Sequence, residues 1–495
     1  MRVSAVLVAL LLSAMICPAV LHSQETTSGT IAGKVIDPAG KPIAGAIIIA
    51  ESESGPRTAT TDDQGNYVLP FLRPGTFNVR VEAPSGFTTG LREGVIVGLG
   101  QRVPLDFTLQ PGKVEEVTVS SSPLVDATST ASGTNIRYDE FANSVPIGRS
   151  FTDTYAVASG VVSGRGTGQG NYSIGGASGL ENTYLIDGVN VTNTGYGGIG
   201  AYNIVYGSLG TGVTSEFLEE VQVKTGGFEA EYGQALGGII NTIVKSGTND
   251  FKGSVAWYAT PQGAKSDYTV TELQAGAAST VEEGVNDFAF QVGGPIVKDK
   301  LFYFLAYNPV ITTTGRQAQT LANPMFAPAE AGVAVFDETD PTGFGVPAEL
   351  AFPSAGRTLE RRRQANNYAA KISFQMTENQ NLELTAFGDP AAGDMGAQRD
   401  TAPLFGDFEN GGGESSVRYG SNNLALKWNA IVTPRFFLEG IVARHDGFFR
   451  ETPGLDQYRY IDYRNNLEFR RGATTYTDPA PVSYTHLTLP TILRV

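Results

Sequence analysis

The sequence predicts an all-β-dominated chain, and three observations lead there. Apolar and polar residues alternate with period two over many short segments, glycine reaches 60 of 495 residues, and runs with helical periodicity are scarce. Each interior glycine costs a helix about 1 kcal/mol, whereas turns use glycine at no steric cost. Shifts in composition divide the chain into a leader, a sandwich-like block, a polar connector, a Gly-rich globule and a long region of amphipathic strands.

The leader comes first. Arg2 is followed by an apolar run, Val3 to Ile16, broken only by Ser4 and Ser13. A membrane-spanning helix needs about 18 or more such residues, while the core of a secretory signal needs only about 7–15. Residues 1–23 therefore read as a cleaved signal peptide, with cleavage after Ala19 or after Ser23. Cys17 invites a lipoprotein reading, but Ile16 before it is too bulky for lipidation.

Charge and reactive residues exclude several classes. Fifty acidic residues against 35 basic give a net charge of −15, the wrong sign for a phosphate backbone. The single cysteine lies in the leader, so no disulfide or thiolate chemistry is expected in the mature chain. His445 and His486 lack metal-ligand spacing. The reading is of no catalytic residues, no cofactor and no metal.

Residues 25–112 carry short apolar stretches every 8–12 residues with turn signals between them, the pattern of a β-sandwich. Thr30–Ile36, Ala46–Ala50, Val68–Leu72 and Phe77–Val81 read as strands, and Val103, Leu105, Phe107 and Leu109 close the set with strict alternation. Asp37-Pro38-Ala39-Gly40 and Thr61–Tyr67 are turns. Asp62 and Asp63 beside Gly65 lack the ligand count of a calcium loop, so a β-turn is favoured. Gly33-Lys34-Val35-Ile36-Asp37, Pro42–Ala46, Thr61–Tyr67, Leu72-Arg73-Pro74-Gly75 and Gly86-Phe87, in that order, resemble the carboxypeptidase regulatory-like domain. The resemblance implies a transthyretin-like, carbohydrate-binding-like sandwich without peptidase activity.

Residues 133–250 contain a second series. Tyr184–Val189 is an apolar strand ending in the Asp187-Gly188 turn; Phe217–Val223, Phe228–Gly233 with Glu231, Tyr232 and Gly233, and Gly237–Asn249 follow, leading into Phe251–Ser254. This series resembles the plug of TonB-dependent receptors, specifically the Oar-like branch, and implies an α+β globule able to sit inside a barrel. Gly175 stands where many plugs have arginine. The Gly-dense segments Ser163–Gly170 and Gly195–Gly200 read as permissive loops rather than packed core. Gly164-Arg165-Gly166-Thr167-Gly168 is not read as a phosphate loop, because no helix-period segment follows it. Asn193, Tyr196, Tyr202, Asn203 and Tyr206 form a candidate ligand-facing apical loop, suited to sugars or peptides; an ordinary solvated loop is the equal alternative.

Between the two blocks, residues 113–132 form a connector. Val114, Glu115, Glu116, Val117, Thr118 and Val119 alternate before a polar stretch. One reading is a last sandwich strand and a linker. The other, implied by the resemblance, is a TonB box, a strand offered to the sheet edge of a TonB-type periplasmic energy-coupling protein.

From residue 251 the alternation is regular. Phe251, Gly253, Val255 and Trp257 share a face, as do Phe288 and Phe290; Tyr368, Ala370, Ile372, Phe374 and Met376; Leu382 and Leu384; and Leu424, Leu426 and Trp428. Polar residues, among them Asp287, Lys371, Ser373, Glu383, Asn423, Lys427 and Asn429, face the other way. Apolar-out, polar-in segments of roughly ten residues suit strands in lipid around a wet lumen. Short turns at 295–300, 377–380 and 431–434 alternate with long connections at 260–285, 309–366 and 388–416, the asymmetry of outer-membrane barrels with periplasmic short turns. Val292–Phe304 resembles the second hairpin of the Oar-like barrel. About seven strands are expected to Arg444, with one more near Tyr458–Tyr463, against the roughly 22 that the resemblance implies for a whole barrel. Residues 251–480 therefore read as a partial antiparallel barrel and 481–495 as a non-native tail, that is, a truncated chain.

The function expected is an outer-membrane TonB-dependent receptor that imports an extracellular ligand (a siderophore, glycan or peptide) into the periplasm, with the sandwich on the periplasmic side. Its partners are outer-membrane lipid and the coupling protein, not nucleic acid. An outer-membrane adhesion or surface-organising protein is the alternative, and a secreted carbohydrate-binding protein the second. A movable stopper has no use in an anchor, and amphipathic strands have none in a secreted module.

Overall fold

The computed structural model describes residues 27–84, 86–112, 117–120, 132–139, 149–162, 171–193, 197–203, 207–210, 212–228, 235–261, 280–317, 358–393, 415–433, 436–453, 460–462, 467–469 and 482–488. The leader, Val114–Glu116, Tyr196, Tyr206 and Glu231–Gly233 lie outside them.

The first unit holds β1 (Gly29–Ile36), β2 (Ile47–Ser52), β3 (Gly55–Thr60), β4 (Asn66–Leu72), β5 (Gly75–Glu82), β6 (Gly90–Val97), β7 (Arg102–Pro104), β8 (Phe107–Thr108) and β9 (Val117–Ser120). They form two sheets, β4-β1-β7 with β8 also on β1, and β3-β2-β5-β6-β9. The sheets enclose a core that includes Ile31, Val35, Ile48, Leu69, Phe77, Val79, Val95 and Leu105. Each such side chain removed from water contributes about 1.5–3 kcal/mol. Both expected turns are built by their aspartates. Asp37 Oδ1 accepts from the N–H groups of Ala39 and Lys41, and Asp62 Oδ1 from those of Gln64 and Asn66.

Two strands here escaped the sequence reading: β3, which is mostly polar, and β6, whose alternation is interrupted by Gly94 at φ +68°. The expected closing strand is also divided. Val103, Leu105, Phe107 and Leu109 are all buried as their alternation predicts. Pro104 offers no backbone donor, and between the halves Asp106 Oδ1 takes the Lys34 N–H at 2.7 Å in place of a ladder bond.

The plug holds β10 (Ser132–Arg137), helix α1 (Phe151–Tyr155), β11 (Val161–Val162), β12 (Ser173–Ile174), β13 (Thr183–Ile186), β14 (Val189–Asn190), β15 (Ala201–Asn203), β16 (Gly207–Leu209), β17 (Leu218–Gly226) and β18 (Ile239–Val244). Its main sheet runs β10-β17-β18-β13-β14. Ser150 caps α1 in a reciprocal box with Asp153, satisfying backbone donors at the helix start. One loop departs from expectation. Gly197, Gly198 and Gly200 have positive φ, Ile199 between them is fully buried, and a Cβ on Gly197 would lie 2.0 Å from the Leu180 carbonyl oxygen. This segment is packed core, and glycine is needed for close approach rather than for freedom.

The barrel sheet holds β19 (Lys252–Thr260), β20 (Thr280–Val297), β21 (Leu301–Gln317), β22 (Thr358–Thr377), β23 (Gln380–Gly388), β24 (Ala391–Gly393), β25 (Ser415–Thr433) and β26 (Phe436–Pro453). Neighbours pair antiparallel in sequence order. Ile372, Phe374, Leu384, Leu424, Leu426 and Trp428 are exposed, while Lys371, Ser373, Thr385, Asn423, Lys427 and Asn429 are buried. That inverts the rule of a water-soluble protein and is what lipid on one side and a filled lumen on the other require. Several strands reach 17–20 residues, well past the expected ten, so the long connections are shorter than predicted. The hydrophobic period reports only the lipid band, whereas the backbone ladder continues beyond it.

Strand β24 continues β23: both pair with β22 and with β25, separated by Asp389 and Pro390. The strand expected near Tyr458–Tyr463 is not in this sheet. Among the described residues β27 (Tyr460–Asp462) pairs only with β28 (Leu467–Phe469). Within the expected tail, β29 (Val482–Thr488) pairs with β26. No helix among the described residues is long and apolar enough to cross a membrane.

Gly33 supplies a test of the sandwich. A Cβ there would lie 1.9 Å from the Leu105 carbonyl oxygen. Gly33→Ala should destabilise the domain by about 1–3 kcal/mol or more. Gly40→Ala, at φ +81° in open space, should cost only about 1 kcal/mol. Thermal unfolding of the two variants checks the order, and equal midpoints would refute it.

Candidate functional site: the plug in its seat

The expected Asp187-Gly188 turn is a two-residue hairpin between β13 and β14, with both residues at positive φ (47° and 80°), the geometry that favours Asp-Gly. The structure adds a second role. Asp187 is buried, and its Oδ1 lies 3.1 Å from Lys371 Nζ on the barrel wall while also accepting the Val244 N–H at 3.3 Å. Lys371 Nζ donates in turn to the Val244 carbonyl at 3.3 Å. A Cβ on Gly188 would sit 3.0 Å from Ile441 Cδ1, so the turn rests directly on β26. The sequence signal was half visible: Lys371 stood on the polar face of its strand, but its partner lies 184 residues away.

Two further contacts seat the plug, and sequence reasoning missed both. Arg149, just before α1, meets Asp287 of β20 at 2.5 Å and Glu216 at 2.7 Å, with its guanidinium 3.6 Å from the centre of the Tyr258 ring. Burial by itself lowers the Arg149 pKa, but the hydrogen bonds and charges of Asp287 and Glu216 outweigh it and hold the group above its ordinary value. Asn308 also donates to Asp287 at 2.5 Å. On another wall strand the interruption at Pro390 aims Asp389 inward. Its Oδ2 accepts the Gly212 N–H of the plug at 3.0 Å, and its Oδ1 accepts from Ser421 N–H and Oγ. Apolar contact joins these polar ones: Phe304, Ala306, Ala369, Phe387, Ala425, Ile441 and Ala443 of the wall belong to the same core cluster as the plug's Tyr184, Ile186, Phe217 and Val221.

The sandwich lies at the short-turn end. Arg73 Nη2 is 3.1 Å from Glu383 of β23, and the Phe71 ring meets Phe437 of β26 edge-on at 6.2 Å. Glu53 accepts from Lys252 at 2.5 Å. On the plug side, the Leu99 N–H donates to Glu220 Oε1 at 2.8 Å, and the Leu99 carbonyl accepts from Gln222 at 2.6 Å and Asn135 at 3.0 Å. Burial pushes the Glu220 carboxyl up to about 7, against the Leu99 N–H, Asn135 and Arg137, which favour its charged form. Its other oxygen is buried without a hydrogen-bond partner among the described residues.

The residues singled out from sequence are distributed unevenly. Val117, Thr118 and Val119 lie in β9, paired parallel with β6 from Gly90↔Val117 to Glu93↔Ser120, as a last strand of the sandwich. Asn193 turns its amide inward, donating to the Gly200 carbonyl at 3.0 Å. Tyr202 and Asn203 lie in β15, opposite Ser208 and Gly207 of β16. Gly175, in the position of the absent arginine, takes φ +62° and donates its N–H to the Gly160 carbonyl, a turn in which glycine is favoured.

Three family comparisons follow the same order along the chain. Residues 30–110 match the carboxypeptidase regulatory-like domain, 126–239 the TonB-dependent receptor plug domain, and 243–336 an outer membrane beta barrel domain. A receptor plug domain followed by an outer membrane barrel domain is the domain order of TonB-dependent receptors, which this chain resembles. The chain is 28% identical over 448 residues to the TonB-dependent transporter Oar of Myxococcus xanthus, covering 86% of this chain and 40% of that protein. A shorter match, 35% identical over 98 residues, joins 19% of this chain to 11% of the probable TonB-dependent siderophore receptor PirA of Acinetobacter baumannii. The crystal structure of the outer membrane transporter YddB from Escherichia coli aligns with TM-score 0.49 at 16% identity, covering 70% of this chain and 43% of that one. The chain thus spans well under half the length of the curated relatives it matches.

Two buried charges give tests. Lys371→Met leaves Asp187 buried without its cation and should cost about 3–5 kcal/mol, most of which Asp187→Asn in the same chain should restore; the unfolding of single and double variants measures it. Glu220 is an acid whose folded-state pKa lies above its unfolded value of 4.5. Its cost is absent below about 4.5, grows as pH rises, and is complete above about 7, where it amounts to about 3 kcal/mol. Glu220→Gln should therefore raise the unfolding temperature at pH 8 and leave it nearly unchanged at pH 4. A gain of equal size at both pH values would exclude a buried carboxylate as the cause.

Proposed function

We propose that the chain is part of a non-catalytic receptor that imports an extracellular ligand across the outer membrane, driven by a TonB-type periplasmic protein pulling on the connector. One observation supports this most directly. Among the described residues the plug is held in the lumen by discrete polar contacts, Asp187–Lys371, Arg149–Asp287 and Gly212–Asp389, and by apolar side-chain packing, rather than by shared strands. Such a body can be displaced without breaking the wall's ladder. The boundaries proposed are 1–23 for the signal, 25–112 for the sandwich, 113–132 for the connector, 133–250 for the plug, 251–480 for the barrel and 481–495 for a tail.

Val114–Val119 is the proposed coupling strand. Its second half forms a sheet edge with β6, and edge strands readily exchange partners. The proposed ligand-facing edge contains Tyr196, Tyr202, Asn203 and Tyr206, with Asn193 shaping the loop from within. Asp187 and Gly188, with Glu231, Tyr232 and Gly233, are the proposed plug signature. The ligand is a siderophore, a glycan or a peptide. Protection of the long loops from protease, measured with one candidate of each class on the receptor in membranes, tests binding.

Val117→Pro removes a backbone donor from the coupling strand. Uptake should fall by an order of magnitude or more while ligand protection of the loops is retained. Unchanged uptake would show that the strand lies elsewhere.

A further inference from the structure

Pulling on the connector would load β10 first, because β10 follows the connector in the chain and is the edge strand of the plug sheet, with β17 its one ladder partner among the described residues. An antiparallel edge strand drawn from one end peels a pair at a time, beginning here at Ser132↔Gly226. Partway along, Asn135 stands opposite Gln222 in the register. That position is where the sandwich touches the plug.

The touching element is the tight turn between β6 and β7. Leu99 at its tip is fully buried. Its N–H is taken by Glu220 and its carbonyl by both Gln222 and Asn135. Asn135 also donates to Glu220 Oε1 at 2.5 Å, and Gln222 donates to Asn135 Oδ1 at 3.3 Å. One residue of the sandwich thus completes a network spanning β10 and β17. The approach is possible because glycines flank Leu99. A Cβ on Gly98 would lie 2.9 Å from Asn135 Nδ2, and one on Gly100, at φ +62°, 3.0 Å from Gln222 Nε2.

A second arm holds the same domain to the wall. Phe71, near the end of β4, takes φ +58°, a conformation costly for an aromatic residue, and from the turn that follows Arg73 reaches Glu383 and donates to the Gly247 carbonyl at 3.2 Å. The Arg73 guanidinium also lies 5.9 Å from the centre of the Phe302 ring. Glu383, Phe302 and Phe437 sit on three strands near their short turns. The sandwich is therefore tied to plug and wall at once.

We propose that the regulatory-like sandwich is a clasp on the plug: the Leu99 turn locks strand β10 onto β17, the Arg73 loop anchors the clasp to the barrel, and β10 leaves only after the turn undocks. The interaction surface is the pair of loops 71–74 and 98–101, and its partner is the Asn135–Glu220–Gln222 face of the same chain's plug. That β10 is the strand drawn out rests on the transport reading; the docking itself does not.

Hydrogen exchange on the full chain in detergent, without ligand or coupling protein, tests the docking, so a failure of transport would leave the result unaffected. Gly100→Val puts a β-branched side chain at positive φ against Gln222 from the sandwich side. Amide exchange at 134–136 should speed up about tenfold, the loss of roughly one hydrogen bond's worth of protection, with β13 and β18 as slow as in wild type. From the plug side, Glu220→Ala should speed exchange of the Leu99 amide by about the same factor, and Glu220→Gln, which keeps an acceptor, should restore it. Wild-type exchange at 134–136 in a Gly100→Val protein whose sandwich strands remain protected overturns the proposal. So does a Leu99 amide indifferent to Glu220→Ala. If Gly100→Val unfolds the sandwich itself, the Glu220 pair decides alone.

Discussion

Lipid cannot hydrogen-bond to a backbone, and the rest of this structure follows from that constraint. Each unpaired N–H or C=O in hydrocarbon costs several kcal/mol, so the wall is an unbroken succession of antiparallel neighbours from β19 to β26. Once the backbone is committed in this way, side chains are the only freedom left. They sort by face: Leu424, Leu426 and Trp428 turn outward, and Asn423, Lys427 and Asn429 inward. The lumen so created is polar, and a polar lumen filled by protein must find partners for its charges.

The plug supplies those partners. Its core is apolar, as the cluster around Tyr184, Phe217 and Val221 shows, but its contacts with the wall include placed charges. Asp187 illustrates the economy of the arrangement. The same residue makes the hairpin turn possible through its backbone and neutralises an inward lysine through its carboxylate. Asp389 does the converse from the wall, where a proline interrupts the ladder and frees a carboxylate to hold the plug backbone. Buried pairs of this kind add little net stability, because desolvation offsets attraction. They specify one seating.

Glu220 differs from these. Its hydrogen bonds come from Leu99 and Asn135, Arg137 stands opposite it in the ladder, and burial nevertheless raises its pKa towards neutrality. A group that costs stability when ionised is retained here at the meeting of sandwich and plug.

Much of the fold was legible in the sequence because it depends on local periodicity. Alternation set the inward and outward faces of the wall strands, Asp-Gly and Asp-Pro-Ala-Gly set turns, and ordered short motifs set the domain series. Periodicity could not show where ladders end, since a strand beyond the lipid band no longer needs an apolar face; hence β20, β21 and β22 run longer than their patterns. It could not show that the loop around Ile199 is packed, because glycine reads alike whether it gives freedom or close approach. Nor could it pair Asp187 with Lys371, Arg149 with Asp287, or Leu99 with Glu220, residues 184, 138 and 121 positions apart. Sequence by itself determined which surfaces meet lipid and which segments turn, because those are properties of a residue and its near neighbours. Only tertiary structure decided how plug, wall and sandwich hold one another, because each contact joins groups that neither spacing nor composition relates.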